Sequence, residues 1–372
     1  MVAVASVVVA LGTATGMLSA LDGREGSDEA QPVLVSGSPS PDPRPAVPSA
    51  SRPAPAAVPT KASASPSPGK ARPTPGPTKA RPTTSTRLYR HPSSQVLDWV
   101  RDNPRDRRTD RIEARIADRP AAVWFADYTP GTITSRVRAV TSGGAAQGRV
   151  PVVVAYAVPD RDCGGASEGG APDAGAYDAW IDRFAAGLGS GEVVVVLEPD
   201  SIAQSDCLSV AQRAARFASL ARAGRVLKAA DPKARVYYDG GHSGWHPADR
   251  QAALLKEAGA ASASSSDGIF SNVSNFHATS AEIAYDRQVL DTLDGPSSLG
   301  AVIDTSRNGN GAPADGEWCD PAGRKIGRAP SLNTGETRID GYLWVKLPGE
   351  SDGCRGTPGT FSPSYAYELA SP

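Results

Sequence analysis

The chain is poor in the residues that build most metal and nucleophile sites. In 372 residues it has four cysteines, four histidines and two methionines. Cys163, Cys207, Cys319 and Cys354 form no CxxC pair, so zinc-type spacing is missing. Neither GxGxxG opening a helix nor GxxxxGK[ST] occurs, which argues against a nucleotide. An oxygen-ligated Mg²⁺ or Ca²⁺ site would need a compact acidic loop, and none is recognisable. Neither a metal nor a cofactor is therefore expected. A basic footprint is also lacking. The formal charge of −1 divides into +8 for residues 31–90, −3 for 1–30 and −6 for 91–372. A mildly acidic body of that size does not suit phosphate, so nucleic acid is not expected as a partner.

What is present is unevenly placed. Of 33 prolines, 15 lie between Gln31 and Thr86. Residues 31–90, rich in Pro, Ala, Ser, Thr and Lys, read as an extended, disordered linker with polyproline II character. Before it, Val2–Leu21 carries no charge and is apolar or small throughout. Residues 1–30 read as a signal peptide or membrane anchor followed by a short acidic spacer. An even cysteine count behind such a segment fits two disulfides in an oxidising compartment, with three pairings open. An extracellular location is expected, secreted or held by an N-terminal membrane or wall tether.

Residues 91–372 alternate between apolar strands and helical periods. The strands are read at 121–127, 149–158, 192–200, 234–241, 268–276, 299–307 and 341–347. Runs such as "RVPVVVAYAV" and "EVVVVLEPD" suit strands buried on both faces, and repeated β-α units imply a parallel sheet. Seven such strands favour an α/β fold that forms a closed or nearly closed TIM-like barrel over a doubly wound open sheet.

Carboxylates fall at the strand ends: Asp162, Asp200, Asp239, Asp304 and Asp352. In a β/α barrel these ends form the active-site rim. Asp also caps helices after strands, but five in one register favour a site. Crowded carboxylates suit proton chemistry, because like charge and partial burial keep one of them protonated. Trp124, Trp245 and Trp318 fall in rim positions, where indole faces suit sugar rings. Trp180 and Trp344 lie mid-element and read as core. Carboxylates with rim tryptophans on an exported barrel point to glycoside hydrolysis.

The motifs "VVVAYAVPDRDCGGASEGGA", "VVVVLEPDSIA", "YYDGGHSGW", "SNVSNF", "DTSRNGNG", "EWCDPAGRKIG" and "WVKLPGESDG" closely resemble glycoside hydrolase family 6 from about Gln95 to Pro372. That family comprises endoglucanases and cellobiohydrolases that cut β-1,4-glucan with inversion. Its fold is a distorted seven-stranded parallel β/α barrel. The resemblance implies Asp200 as general acid and Asp162 as the residue that keeps Asp200 protonated and engages the catalytic water. It implies Asp352 as the base, an assignment disputed in the family, and Asp239 as support for the acid. Tyr156 and Ser167 match positions near the scissile sugar. Trp124, His242, Trp245, Asn275, Trp318, Lys346 and Glu350 match sugar-binding positions. The implied disulfides are Cys163–Cys207 and Cys319–Cys354.

The segment from Asn310 to Trp318 and the tail after Asp352 are short for a cellobiohydrolase tunnel. An open cleft and internal cutting are therefore expected. No cellulose-binding module is recognisable, which favours soluble or amorphous β-glucan. The expected protein is a monomeric, exported, inverting endo-β-1,4-glucanase. Its rivals are an exo-acting cellobiohydrolase, a relative acting on another polymer, and a glucan-binding or wall-anchoring protein with little turnover.

Overall fold

The computed structural model describes residues 87–372. The readings of 1–30 and of nearly all of 31–90 lie outside the described residues. Packing starts slightly earlier than the expected boundary: Leu88 bridges in parallel to Val150, and Leu88 and Tyr89 are buried. The last residues of the expected linker thus belong to the folded body.

Among the described residues seven strands form one sheet: β1 (Val123–Phe125), β2 (Val152–Ala155), β3 (Val193–Leu197), β4 (Ala234–Asp239), β5 (Gly268–Ser271), β6 (Gly300–Asp304) and β7 (Ile339–Leu343). Every pairing is parallel and the order is sequential. A doubly wound sheet would reverse its order at a switch point, and this one does not. β-Branched runs such as VVVA and VVVVL favour the extended state and tolerate burial on both faces. The strands are shorter than the apolar runs that contain them. The run at 268–276, for example, leaves the ladder at Asn272, which adopts a left-handed φ of 63°.

Among the described residues eight α-helices accompany the sheet: α1 (Gln95–Asp102), α2 (Thr109–Ile112), α3 (Ile133–Ala146), α4 (Ala174–Ala185), α5 (Val210–Ala230), α6 (Ala248–Glu257), α7 (Thr279–Leu293) and α8 (Pro363–Ala370). α5 begins with a reciprocal capping box between Ser209 and Gln212. Strand parity then divides the core. Val153, Ala155, Val195, Leu197, Val236, Tyr238, Ile269 and Ile303 pack with Val137, Trp180, Phe217, Leu220 and Val289 of the helices. Their neighbours Val152, Val154, Val194, Val196, Tyr237, Phe270, Val302 and Leu343 form a second cluster free of helix residues. A flat sheet has no such inner cluster. The curl fills its own interior with side chains, as small barrels do.

β1 and β7 do not pair as strands. A single main-chain bond, Ala122 N–H to Trp344 O at 2.9 Å, and the Trp124 indole N–H to Val345 O at 2.7 Å cross the seam. Trp344, Val96, Ile112, Ile116 and Ala366 pack over it as a third cluster. Both Trp180 and Trp344 are buried, in keeping with their reading as core. Among the described residues no helix is long and apolar enough to cross a membrane.

Gly268 opens β5 at φ 140°, and a Cβ there would lie 1.7 Å from Gly300 O. The obstacle is backbone of the neighbouring strand and cannot rotate away. Gly268→Ala is expected to cost about 3 kcal/mol or more of stability, seen as a lowered Tm in calorimetry. An unchanged Tm would show that β5 and β6 separate freely at this point.

Candidate active site

The C-terminal strand ends open into a cleft of about 1480 Å³. Trp124, Tyr156, Asp162, Ser167, Asp200, His242, Trp245, Asn275, Trp318, Lys346, Glu350 and Asp352 all line it. Two of the five strand-end carboxylates, Asp239 and Asp304, do not; each is buried at the end of its strand, β4 and β6. A second hollow of about 730 Å³ is lined by Asp106, Arg107, Arg108, Ser364 and Tyr367 and contains none of the strand-end carboxylates.

Asp200 follows β3 in the turn Glu198–Pro199–Asp200. Glu198 and Asp200 adopt left-handed φ values of 51° and 66°. Non-glycine residues rarely take this conformation without a structural cause. Part of the cause is Glu198. Its carboxyl is fully buried and accepts the Ala157 N–H at 2.8 Å and the Val158 N–H at 2.9 Å, fastening β3 to the chain beyond β2. Burial pushes its pKa up to about 7 against those bonds. Asp239 is tied in the same manner. It accepts the N–H groups of Ile202 at 2.9 Å, Ala203 at 2.8 Å and Gly241 at 2.9 Å. Asp200 differs: among the described residues no hydrogen bond reaches its carboxyl. Burial first, then the charges of Asp239 and Asp162, push the Asp200 pKa well up. Burial raises Asp239 as well, but its three N–H donors favour the charged form. The proton of this coupled pair therefore rests on Asp200.

Asp162 lies in the loop after β2. It accepts the Ser167 N–H at 2.7 Å and the Ser167 hydroxyl at 2.9 Å, and Ser167 Oγ lies 2.9 Å from the Tyr156 hydroxyl. Burial first, then Asp200, raises the Tyr156 phenol, so it stays a proton-bearing donor. Arg161 gathers the loop. It donates to Ser167 O at 2.7 Å, Tyr156 O at 2.6 Å and Ala126 O, and its guanidinium stands 4.6 Å from the Tyr156 ring centre. Cys163–Cys207 ties this loop to the chain beyond Asp200. Residues 165–169 also spell GxSxG, the pattern of a serine-nucleophile elbow. Ser167 is nevertheless in an irregular loop, and its hydroxyl partners are Asp162 and Tyr156, with no histidine base.

Asp352 forms the opposite wall. Its Oδ2 meets Arg307 Nη1 at 2.6 Å and accepts the Asp320 N–H at 3.1 Å; its Oδ1 meets Lys346 Nζ at 3.3 Å. Arg307 is fully buried, lies 4.4 Å from the Phe276 ring centre and also donates to Ser274 O. Asp320 accepts the Ser351 hydroxyl at 2.6 Å and the N–H groups of Asp352, Cys354 and Arg355 at 2.8, 3.1 and 3.0 Å. Burial alone would raise its pKa, but these bonds, led by Ser351, outweigh it and hold it low. Cys319–Cys354 closes the same loop. The fifth strand-end carboxylate, Asp304, does not reach the cleft. It is buried and accepts N–H groups from Ser274, Ser306, Val345 and Lys346, so it is a knot between loops and not a reacting group.

The sequence around this rim matches a known family. The model for glycosyl hydrolases family 6 covers residues 79–368. This chain belongs to that family. It is 53% identical over 287 residues to endoglucanase 1 of Streptomyces sp. (strain KSM-9), covering 77% of this chain and 78% of the relative. It is 50% identical over 284 residues to endoglucanase A of Thermobispora bispora, covering 76% of this chain and 61% of the relative. The endoglucanase Cel6 from Mycobacterium tuberculosis, solved with methyl-cellobiosyl-4-deoxy-4-thio-β-D-cellobioside, superimposes with a TM-score of 0.71 at 37% identity, covering 78% of this chain and 98% of that one.

In this family 6 cleft the aromatic groups stand along the rim. Trp124 packs edge-on to Tyr156 at 5.2 Å. His242 stacks on His277 at 4.3 Å and lies 5.3 Å from Trp245. Burial, then the two neighbouring histidines, lower the His242 pKa to about 3, so it is neutral at working pH. Trp318 is 60% exposed. Glu350 receives the Gln95 amide at 3.3 Å, and burial pushes its pKa up to about 7. Asn275 lies on the loop after β5. Among the described residues no group of three or more His, Cys, Asp or Glu could hold a metal ion.

Glu198, Arg161, Arg307 and Asp320 were not singled out in the sequence. A signal was available: each is a charge embedded in an otherwise apolar or turn-forming motif, "LEPD", "DRDC", "DTSRNG" and "EWCDP".

The electrostatics can be tested without catalysis. Asp239→Asn removes the negative neighbour that holds the proton on Asp200, so the Asp200 pKa should fall by about one unit or more. Carbon-13 NMR titration of aspartate carboxyl signals checks this. An Asp200 signal that titrates at the same pH in both proteins would refute the coupling.

Proposed function

We propose that this family 6 hydrolase cuts internal β-1,4 bonds of a glucan with inversion, and that Asp200 donates the proton to the leaving oxygen. The observation that carries the reading is the contrast between two neighbouring carboxyls. Asp239 takes three N–H donors, which favour its charged form; Asp200 takes none, is raised by burial and then by Asp239 and Asp162, and faces the cleft. A sugar alkoxide leaves poorly, so a carboxylic acid that stays protonated near neutral pH is the group it needs.

Inversion needs a water on the opposite face of the sugar, between carboxyls roughly 6.5–9.5 Å apart. Asp162, with Ser167 and Tyr156, supplies a hydrogen-bonded chain able to orient that water. Asp352 is the opposing carboxylate. Both its oxygens are engaged, and the Lys346 contact, at 3.3 Å, is the longer of its two ion pairs. A sugar hydroxyl that draws Lys346 away would free Oδ1 for the water. The exposed Trp318 and the short rim loop support an open cleft and endo action, as do relatives named endoglucanases. Two disulfides support secretion, and the Pro-rich stretch then serves as a spacer before a monomeric catalytic body.

On a soluble cellulose derivative, viscosity should fall well ahead of reducing-end release. If the two run in parallel and cellobiose dominates early, the enzyme is exo-acting.

Asp200→Ala should lower the rate on polymer by about 10²–10⁴-fold, the worth of general acid help. That is roughly 3–5 kcal/mol of barrier. It should also remove the alkaline limb of the pH–rate profile, since that limb reports ionisation of the acid. On a substrate with a fluoride or nitrophenolate leaving group the loss should shrink sharply. An equal loss on both substrates would mean that Asp200 is not the donor.

A further inference from the structure

One face of α7 is turned toward the loop after β4, Gly240 to His246, which carries His242 and Trp245. The Tyr285 hydroxyl donates to Gly240 O at 3.3 Å, and Glu282 Oε1 accepts the Ser243 N–H at 3.0 Å. One helical turn on, Asp286 Oδ2 accepts the hydroxyl of Ser271, the last residue of β5, at 3.0 Å. Glu282 and Asp286 are both fully buried. The remaining oxygen of each, Glu282 Oε2 and Asp286 Oδ1, is also buried and receives no hydrogen bond.

No Lys or Arg among the described residues acts on either carboxyl. Ser243 faces the pair from the β4 loop and Ser271 from β5. Tyr285 sits between them on α7 and feels both carboxyls as well as Asp239 of β4. His277, which precedes α7 and stacks on His242, has its pKa lowered by burial and adds no charge at neutral pH. Two carboxylates at i,i+4 on a helix face are neighbours, and without a cation both cannot be ionised there. Two buried carboxyls one helical turn apart, each with an oxygen that lacks a donor, are satisfied together by one shared proton.

We propose that Glu282 and Asp286 share one proton and act as positioning residues that hold the His242–Trp245 loop in its sugar-binding geometry. Burial raises both carboxyls, with Asp286 raised further by Glu282, in the sense that retains the shared proton. When it leaves at higher pH, repulsion separates the carboxylates and Ser243 loses its acceptor. The loop then loosens and sugar binding weakens, while proton donation by Asp200 is not directly touched. The identity of the sugar rests on the glucan reading above; the proton sharing does not.

The test is binding of cellotetraose to the full chain, followed by tryptophan fluorescence across pH, with kcat and KM for hydrolysis measured in parallel. Glu282→Ala should raise Kd and KM about tenfold, the scale of a lost bond to a buried donor, with kcat changed by less than about twofold. Glu282→Gln keeps an acceptor for Ser243 and donates to Asp286. It should restore Kd and abolish the alkaline rise in Kd while the alkaline limb of kcat stays. Asp286→Asn should flatten the rise likewise, and these two variants carry the test if the alanine variant does not fold. An unchanged Kd in folded Glu282→Ala, or a parental alkaline rise in Glu282→Gln, would overturn the proposal. Binding that follows this pattern in a protein with no hydrolysis would overturn the enzymatic reading and leave this one standing.

Discussion

Backbone N–H groups buried in irregular loops need acceptors, and at this rim buried carboxylates supply them. Strand ladders end early, so the residues beyond them have no neighbouring strand to pair with. Glu198 takes Ala157 and Val158; Asp239 takes Ile202, Ala203 and Gly241. Asp304 takes Ser274, Ser306, Val345 and Lys346; Asp320 takes Asp352, Cys354 and Arg355. Each carboxylate therefore joins segments distant in sequence and fixes a catalytic loop without regular structure. Asp200 is distinguished by lacking this duty. It lies among acids whose backbone donors favour the charged form against burial, and that contrast keeps a proton where a leaving group can take it.

The two walls of the cleft repeat one construction. Each is a loop closed by a disulfide and gathered around an arginine. On one side Arg161 collects the carbonyls of Ala126, Tyr156 and Ser167 beside Cys163–Cys207. On the other, Arg307 collects Asp352 and the Ser274 carbonyl beside Cys319–Cys354. Each disulfide closes a loop of 44 or 35 residues in sequence separation, worth about 3–4 kcal/mol in the chain-entropy model. The gain in precision matters as much as stability, because a water and a proton donor must act on opposite faces of one bond.

Strand positions, sheet class and rim were legible because β-branched runs repeat with helical periods between them. The cleft residues were legible because they sit in contiguous motifs after those runs. What could not be read was which acid serves structure. Asp304 follows a strand in the same register as Asp200, and only its four N–H partners separate the two. Strand ends were also overestimated, since an apolar run continues through Asn272 while the backbone has already turned left-handed. The helices from Gln95 to Ala117 cover the seam between β1 and β7, and that gap exists only in three dimensions.

Buried acids have a further consequence for the molecule as a whole. Glu198 and Glu350 are raised to about 7, and Asp200, Asp239, Asp286 and Asp304 are raised too, burial being the first cause in each. A group raised on folding stabilises the native state fully below its unfolded pKa, and that contribution is lost as pH climbs through the folded value. For Glu198 and Glu350 the window runs from about 4.3 to about 7. Asp320 and Glu368, lowered by the hydrogen bonds they accept in spite of burial, act in the opposite sense and weaken the fold as pH falls through their folded values. Glu198 and Glu350 thus favour the mildly acidic side, while His242, lowered to about 3 by burial, opposes them as pH falls below its unfolded value of about 6.5. Asp200 is raised in the same sense as the two glutamates. Catalysis and folding draw on protonation of the same cluster, so an alkaline loss of rate contains both ionisation of the acid and loosening of the loops around it. Separating the two requires the stability curve and the rate profile on one protein, because neither alone identifies which proton left first.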